Sequence, residues 1–250
     1  MDNGLIKVIT KEKLKVKIFQ NRALMGECAA EETAICISNL LKNKDTINMV
    51  FAAAPSQNDM LASLCKKDIP WERINAFHMD EYVGLSKEHP QSFGKFLYDH
   101  IFSKVNFKSV KYISDYGEDY AELLKKEHID IICLGIGENG HIAFNDPGVA
   151  DFNDEKLIKK VKLDDVCRMQ QVHDGCFPSF DDVPEYALTL TVPQMFSADY
   201  LFCVVPAKTK AEAVFRTVNE DVSENCPATI MRRHGNAIMY CDRDSGEKLL

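Results

Sequence analysis

The chain has 250 residues, of which 46% are hydrophobic and 27% charged, a composition that supplies a large core and excludes a disordered or fibrous protein. Its 38 acidic and 30 basic residues give a net charge of −8, and because no lysine or arginine block concentrates the positive charge, nucleic acid is not an expected partner. No apolar stretch is long enough to cross a bilayer, so no membrane partner is expected and a cytoplasmic location is the default. The nine cysteines include no CxxC pair, which favours free thiols in a reducing compartment and predicts no metal site.

Short apolar runs alternate with longer segments of helical period along the chain. Strands are predicted at 48–53, 74–77, 110–113, 129–134, 187–190, 200–205 and 237–241, and helices at about 21–42, 58–66, 92–104, 119–127 and 209–219. This alternation predicts an α/β fold, a doubly wound and mostly parallel, Rossmann-like sheet with helices on both faces. No linker divides the pattern, so a single domain over 1–250 is expected. The polar segment of about 149–182 is only weakly periodic and predicts an irregular lid.

Ligands of such sheets bind at the carboxyl ends of the strands, so the residues that follow each strand are the first candidates for a site. After the first predicted strand, Ser56, Gln57 and Asn58 precede a helix, where free amides and short polar side chains favour an anion. An ordinary capped turn would have the same sequence. After the second strand come Asp80 and Glu81. A carboxylate there can act as a general base if burial raises its pKa, although a solvated pair is the commoner meaning of two adjacent acids.

The longest motif follows the strand at 129–134 and reads GIGENGHIAFNDPG. Its beginning matches G-x-G-x-x-G, but Pro147 and Gly148 end any helix within two turns, which argues against a dinucleotide site. A glycine-rich loop of this kind lets the backbone approach a ligand closely, so Gly137 and Gly140 are candidate binding residues.

Three further side chains are candidates for chemistry or for binding an anion. His141 is followed five residues later by Asp146, and the two can form an acid/base pair in which the carboxylate fixes the imidazole tautomer; a structural histidine is the alternative. Lys210 stands at a predicted helix start, where it suits an anionic ligand, with a simple surface lysine as the alternative. These groups together suit proton transfers on a phosphorylated small molecule without a cofactor.

Two strings carry a resemblance to a known family: MDEYVGLSKEHPQSF at 79–93 and GIGENGHIAFNDPG at 135–148. They closely resemble the glucosamine-6-phosphate deaminase/isomerases, which are grouped with the 6-phosphogluconolactonases. The likeness extends through VPEYALTL and CPATIMRRHGNAIMYCDRDS. The resemblance implies a hydrolase-class isomerase/deaminase that converts glucosamine 6-phosphate, or a close amino-sugar 6-phosphate, to fructose 6-phosphate and ammonia. Its partner would be that small-molecule sugar phosphate, and no cofactor would be needed.

The resemblance also implies roles for individual residues. Asp80 would be the base that shuttles the proton, and His141 the acid/base that opens the sugar ring. Asp146 stands where the family usually has a glutamate that partners this histidine, and Lys210 where it has a phosphate-binding lysine. Asn139 stands where characterised deaminases carry aspartate, so one carboxylate instead of two would flank His141, and the imidazole should be less easily kept protonated.

The phosphate site departs from the family pattern. The family's threonine-glycine-glycine loop is replaced by the sequence from Pro55 to Asn58, and Arg168 is the best candidate for its lid arginine. Two alternatives stay open: a 6-phosphogluconolactonase, in which His141 activates water and Asp80 is less needed, and a non-catalytic sugar-phosphate sensor. The sequence leaves the oligomeric state open, a homo-oligomer included.

Overall fold

The computed structural model describes residues 4–86 and 88–250; Lys87, inside the motif at 79–93, lies outside the described residues. The strands are β1 (Leu5–Lys11), β2 (Leu14–Phe19), β3 (Ile47–Phe51), β4 (Ile74–His78), β5 (Asp80–Tyr82), β6 (Ser109–Lys111), β7 (Ile131–Leu134), β8 (Ile158–Lys162), β9 (Tyr186–Leu190), β10 (Tyr200–Val205) and β11 (Ala237–Cys241). The helices are α1 (Arg22–Leu40), α2 (Asn58–Leu64), α3 (Phe93–Leu97), α4 (Ile113–Tyr116), α5 (Tyr120–Leu124), α6 (Asp165–His173), α7 (Val192–Phe196) and α8 (Ala211–Asn219).

The main sheet has eight strands in the order β1-β2-β11-β10-β7-β3-β4-β6. In this order, each pair of neighbouring strands from β2 across the sheet to the edge strand β6 is parallel. Only β1, at the opposite edge, pairs antiparallel, with β2. The central strands β3 and β7 are buried along their whole length, as expected when apolar layers cover both faces of a parallel sheet. The predicted α/β class with a mostly parallel sheet is confirmed.

The sequence prediction missed the hairpin of β1 and β2. In β2 the buried residues Leu14, Val16 and Ile18 alternate with the exposed or half-buried Lys15 and Lys17. This is the pattern of a strand with one covered face, which is harder to recognise than a continuous apolar run. The N-terminal hairpin therefore extends the sheet beyond the predicted strands.

A second correction concerns the segment at 149–182, which is not irregular. It contains β8, which pairs antiparallel with β9, and α6, whose first turn is capped by Asp164 accepting a 2.6 Å hydrogen bond from the Cys167 amide. The predicted strand at 187–190 exists as β9, but it lies with β5 and β8 in a separate three-stranded sheet. Lys159, Lys160 and Lys162 interrupt the apolar pattern of β8, which explains why the strand was not predicted.

No helix among the described residues is long and apolar enough to cross a membrane. Within residues 4–86 and 88–250, buried apolar side chains form two large clusters. The main-sheet strands supply both clusters because successive side chains point to opposite faces.

Candidate active site

A cavity of about 810 Å³, part of it open to solvent, lies where four parallel strands end. Segments after β3, β4, β7 and β10 line it, and α6 forms a further wall. A concave site on which several polar side chains converge is typical of small-molecule sites. The segments that the carboxyl-end rule selected therefore line one cavity. The polar and charged side chains that line it are Arg22, Ser56, Asp80, His141, Gln170, Gln171, Asp174, Thr209 and Lys210.

Asp80 lies in the cavity wall two residues after β4, at the first position of β5. Its side chain is largely buried, with the residue 5% exposed. Burial raises the pKa of the Asp80 carboxyl well above its usual value, and the negative charge of the neighbouring Glu81 raises it further. A carboxyl group with a raised pKa holds a proton more readily than an exposed one, which suits a group that takes up and returns a proton.

Glu81 has a structural role beside Asp80. Its carboxylate accepts hydrogen bonds from the backbone amides of Phe93 and Gly94, at 3.0 and 2.9 Å, where α3 begins. The Ser92 side chain caps the same helix by accepting from Lys95. Burial raises the pKa of Glu81 even though these amides favour its charged form. The two adjacent acids therefore have different roles. Glu81 stabilises the start of α3, whereas Asp80 lines the cavity.

His141 and Asp146 form the predicted pair. The Nδ1 atom of His141 lies 2.8 Å from Oδ1 of Asp146, and both residues are buried. Burial alone would raise the pKa of the Asp146 carboxyl, but His141 and the Asn139 amide outweigh it, and the pKa lies below its usual value. The imidazole lines the cavity while the carboxylate orients it from behind, which is the arrangement of an oriented acid/base histidine.

Glycines make room for this pair. A Cβ on Gly137 would lie 2.1 Å from Cε1 of the His141 ring, so only glycine allows the imidazole its position. Gly140 has a φ of +89°, and a Cβ there would lie 2.6 Å from Sγ of Cys226. Of these two predicted binding glycines, Gly137 lines the cavity, whereas Gly140 lies outside its lining. Gly140 serves the turn instead.

Lys210 and Ser56 both lie where an anion would enter. The Lys210 residue is 5% exposed, and its Nζ has no hydrogen-bond partner among the described residues. Burial lowers the pKa of this ammonium group, because a charged group removed from water needs a counter-charge. Ser56 lines the same cavity from the turn after β3. A buried ammonium without a partner in the wall of a cavity is suited to bind an anionic group of a ligand.

Three predicted binding residues do not reach the cavity. Gln57 is buried behind its wall, where Nε2 donates a 3.1 Å hydrogen bond to the carbonyl of Leu134 in β7. Asn58 begins α2 and is not part of the lining. Arg168 donates to the carbonyls of Phe180 and Val183 at 2.9 and 2.8 Å. Its guanidinium therefore holds the segment after α6 in place and lies outside the cavity lining, so the match to a lid arginine stays a prediction.

Sequence reasoning missed Arg22, which lines the cavity from the first residue of α1. Its Nε lies 2.6 Å from Oδ2 of Asp59, and Nη2 donates to the carbonyl of Pro55 at 3.0 Å. The signal was present, because Arg22 follows shortly after β2 and the carboxyl-end rule would have included it had that strand been predicted. Three more lining residues were missed because helix α6 was not predicted. Gln170 and Gln171 lie in α6, and Asp174 is its C-cap.

Two alanines in the lining have strained backbones. Ala143 has a φ of +50° and Ala207 a φ of +83°, conformations that cost energy in residues other than glycine and that cluster at functional sites. The amide of Ala207 donates to Oδ2 of Asp242 at 3.0 Å. The backbone is thus held in unusual conformations on two sides of the cavity.

Potential metal ligands also meet behind the cavity. The donor atoms of His141, Asp146 and Cys167 lie within 4.8 Å of one another. His141 and Asn139 already engage Asp146 at 2.8 and 3.0 Å. The cluster is therefore organised as a hydrogen-bonded network around the acid/base pair.

Taken together, the fold and the cavity define an α/β protein with a candidate small-molecule site at the carboxyl ends of a parallel sheet. A family model described as glucosamine-6-phosphate isomerases/6-phosphogluconolactonase matches residues 20–239. The chain belongs to this family.

Several relatives are similar over most of the chain. A glucosamine-6-phosphate deaminase of Lysinibacillus sphaericus is 30% identical over 210 residues, which are 81% of this chain and 92% of that protein. One from Exiguobacterium sibiricum is 31% identical over 232 residues, covering 88% and 90% of the two chains.

Solved structures agree with these matches. A structure described as a monomeric glucosamine-6-phosphate deaminase has a TM-score of 0.82 at 26% identity, covering 93% of this chain and 98% of the other. The 6-phosphogluconolactonase of Thermotoga maritima has a TM-score of 0.73 at 20% identity, covering 92% and 100%, and shows that the fold is shared.

Proposed function

We propose that the protein is an isomerase/deaminase that converts glucosamine 6-phosphate, or a close amino-sugar 6-phosphate, to fructose 6-phosphate and ammonia. The observation that carries this proposal is that one cavity is lined by the Asp80 carboxyl, the His141 imidazole and the buried Lys210 ammonium. A base, an acid/base and an anion ligand are the three groups that proton transfer on a sugar phosphate requires. The relatives' names favour the same substrate.

The phosphate group would bind at Lys210 and Ser56. Pairing with the phosphate would relieve the cost of burying the ammonium alone. Arg22 contributes a second positive charge to the lining. Arg22 is paired with Asp59 at 2.6 Å, so Lys210, whose Nζ has no hydrogen-bond partner among the described residues, is the main attraction for an anion in a chain with a net charge of −8.

The sugar ring would be opened by His141. Ring opening needs one proton delivered to the ring oxygen and another taken from the hydroxyl at C1. The imidazole, oriented by Asp146 at 2.8 Å, can do both in turn because a ring nitrogen donates a proton when it is protonated and accepts one when it is not. The product of this step is the open-chain amino aldehyde.

Asp80 would then transfer a proton from C2 to C1, which converts the aldose into the ketose form. Its carboxylate removes the proton from C2 while the aldehyde oxygen takes up a proton from His141, giving an enolamine. The protonated carboxyl then returns a proton to C1, giving a protonated imine at C2. Water adds to this imine, and the carbinolamine breaks its C–N bond to release ammonia and fructose 6-phosphate. One water is consumed for each ammonia released. Because water cleaves the C–N bond in this last step, the proposed reaction is also a hydrolysis. Every step uses proton transfers and water, so no cofactor is required.

A coupled assay tests the proposal. The wild-type protein should release ammonia and fructose 6-phosphate in equal amounts from glucosamine 6-phosphate, and Asp80→Asn should lower kcat by about a thousandfold or more, since the proton carrier is lost. The exposed Glu155 offers a control, because Glu155→Gln removes one charge outside the cavity lining. Hydrolysis of 6-phosphogluconolactone without ammonia would instead show a lactonase. Ligand binding with no turnover of either compound would show a sensor.

A further inference from the structure

Asn139 joins two carboxylates that belong to different parts of the fold. Its Nδ2 donates hydrogen bonds to Oδ1 of Asp146 at 3.0 Å and to Oδ2 of Asp164 at 3.1 Å. Its Oδ1 accepts from the backbone amide of His141 at 3.0 Å. This last contact fixes the orientation of the amide, because an amide nitrogen could not accept there. Both Nδ2 hydrogens are therefore committed to carboxylates.

Asp164 is the N-cap of α6. Its Oδ1 accepts from the Cys167 amide at 2.6 Å, while Oδ2 accepts from Asn139. One carboxylate therefore both starts the helix and ties it to the loop that carries His141. Helix α6 is the wall that presents Gln170 and Gln171 to the cavity, with Asp174 at its end.

Other residues of α6 contact the same loop along one face. Oε1 of Gln170 accepts from the Glu138 amide at 2.9 Å, and the Cys167 thiol lies within 4.8 Å of the His141 and Asp146 donor atoms. Asp164, Cys167 and Gln170 are spaced three residues apart, which places them on one side of a helix. The helix is thus docked on the His141 loop through a continuous polar face.

We propose that Asn139 and Asp164 are matched positioning residues, which lock α6 onto the loop of the acid/base pair and hold Asp146 in register with His141. An aspartate at position 139, which the family resemblance would favour, would face Asp146 and Asp164 together without a donor between them. Like charges that share such a site disfavour each other's ionised forms. Asn139 is therefore required by Asp164 in this chain, and restoring the family's aspartate alone harms the site.

The test is a double-mutant cycle of wild type, Asn139→Asp, Asp164→Asn and the double variant, with Asn153→Asp as a control outside this network. Melting temperatures without ligand should fall by about 5 °C or more for Asn139→Asp and by less than about 2 °C for Asn153→Asp. The fall for Asp164→Asn should lie in between, because its amide nitrogen cannot accept the hydrogen bond from Nδ2 of Asn139. The double variant should recover at least about half of the loss, because the amide introduced by Asp164→Asn supplies the missing donor. Asn139→Asp should also lower kcat about tenfold or more with a smaller change in KM, and adding Asp164→Asn should restore it.

The inference is overturned if Asn139→Asp is as stable and as active as Asn153→Asp, or if adding Asp164→Asn recovers neither melting temperature nor kcat. The kinetic part rests on the proposed function, whereas the thermal cycle does not. Absence of ammonia release by the wild type would therefore refute the proposed function, and the thermal cycle would still decide on the match between Asn139 and Asp164.

Discussion

At the scale of single residues, the proposed phosphate contact at Lys210 has a cost in the free protein, because the ammonium group is buried. The Lys210→Met variant removes a buried charge whose Nζ has no hydrogen-bond partner among the described residues, so its melting temperature without ligand should rise. Inorganic phosphate should stabilise the wild type but not this variant, and KM for the sugar phosphate should increase about tenfold or more, because a charge-assisted hydrogen bond is lost.

Lys208→Met is the matched control for Lys210→Met. Lys208 lies in the same turn, but its side chain is 76% exposed and faces Glu247 at 3.6 Å. This variant should keep both the KM and the stabilisation by phosphate. Equal losses in the two variants, measured by kinetics and thermal shift, would contradict a specific phosphate contact at Lys210.

At the scale of elements, the junction between β5 and α3 sets the charge environment of Asp80. Glu81 accepts amide hydrogen bonds from the start of α3 and raises the pKa of Asp80 together with burial. A base with a raised pKa loses activity as the pH falls through that pKa. In Glu81→Gln the like charge is gone, so the acidic limb of kcat/KM should move to lower pH.

The same substitution should weaken the start of α3, because an amide NH₂ cannot accept the hydrogen bonds that a carboxylate accepts. A modest fall in melting temperature is therefore expected beside the shifted pH profile. Glu155→Gln, an exposed charge removal, should change neither. A profile for Glu81→Gln that coincides with the wild-type profile would show that Glu81 does not tune Asp80.

At the scale of the whole molecule, the features that could be predicted from the sequence are those indicated by uninterrupted apolar runs. Apolar runs such as β7 and β10 indicated the parallel sheet, and the rule that ligands bind at strand ends selected Asp80, His141 and Lys210 for the site. Prediction from the sequence failed where tertiary contacts decide. Gln57 donates a hydrogen bond to a carbonyl of β7, and Arg168 donates to carbonyls beyond α6. The sequence around these two residues does not indicate those partners.

Other features of the whole chain stay predictions. Its division into a single domain over 1–250 and its oligomeric state are among them. The alternating pattern of β2 concealed a strand and, with it, Arg22 at the cavity. One-sided strands and polar helices such as α6 depend on what packs against them, which periodicity in a single sequence does not reveal.

Conversion of glucosamine 6-phosphate in D₂O, followed by NMR, tests the central claim most directly, namely that Asp80 carries a proton between neighbouring carbons in a cavity that binds sugar phosphates. The wild type should produce ammonia and fructose 6-phosphate with solvent deuterium at C1, because the carboxyl exchanges its proton with solvent between removal and return. Asp80→Asn should produce neither the deuterium label nor ammonia. Ammonia release and labelling that persist in Asp80→Asn at the wild-type rate would contradict the account.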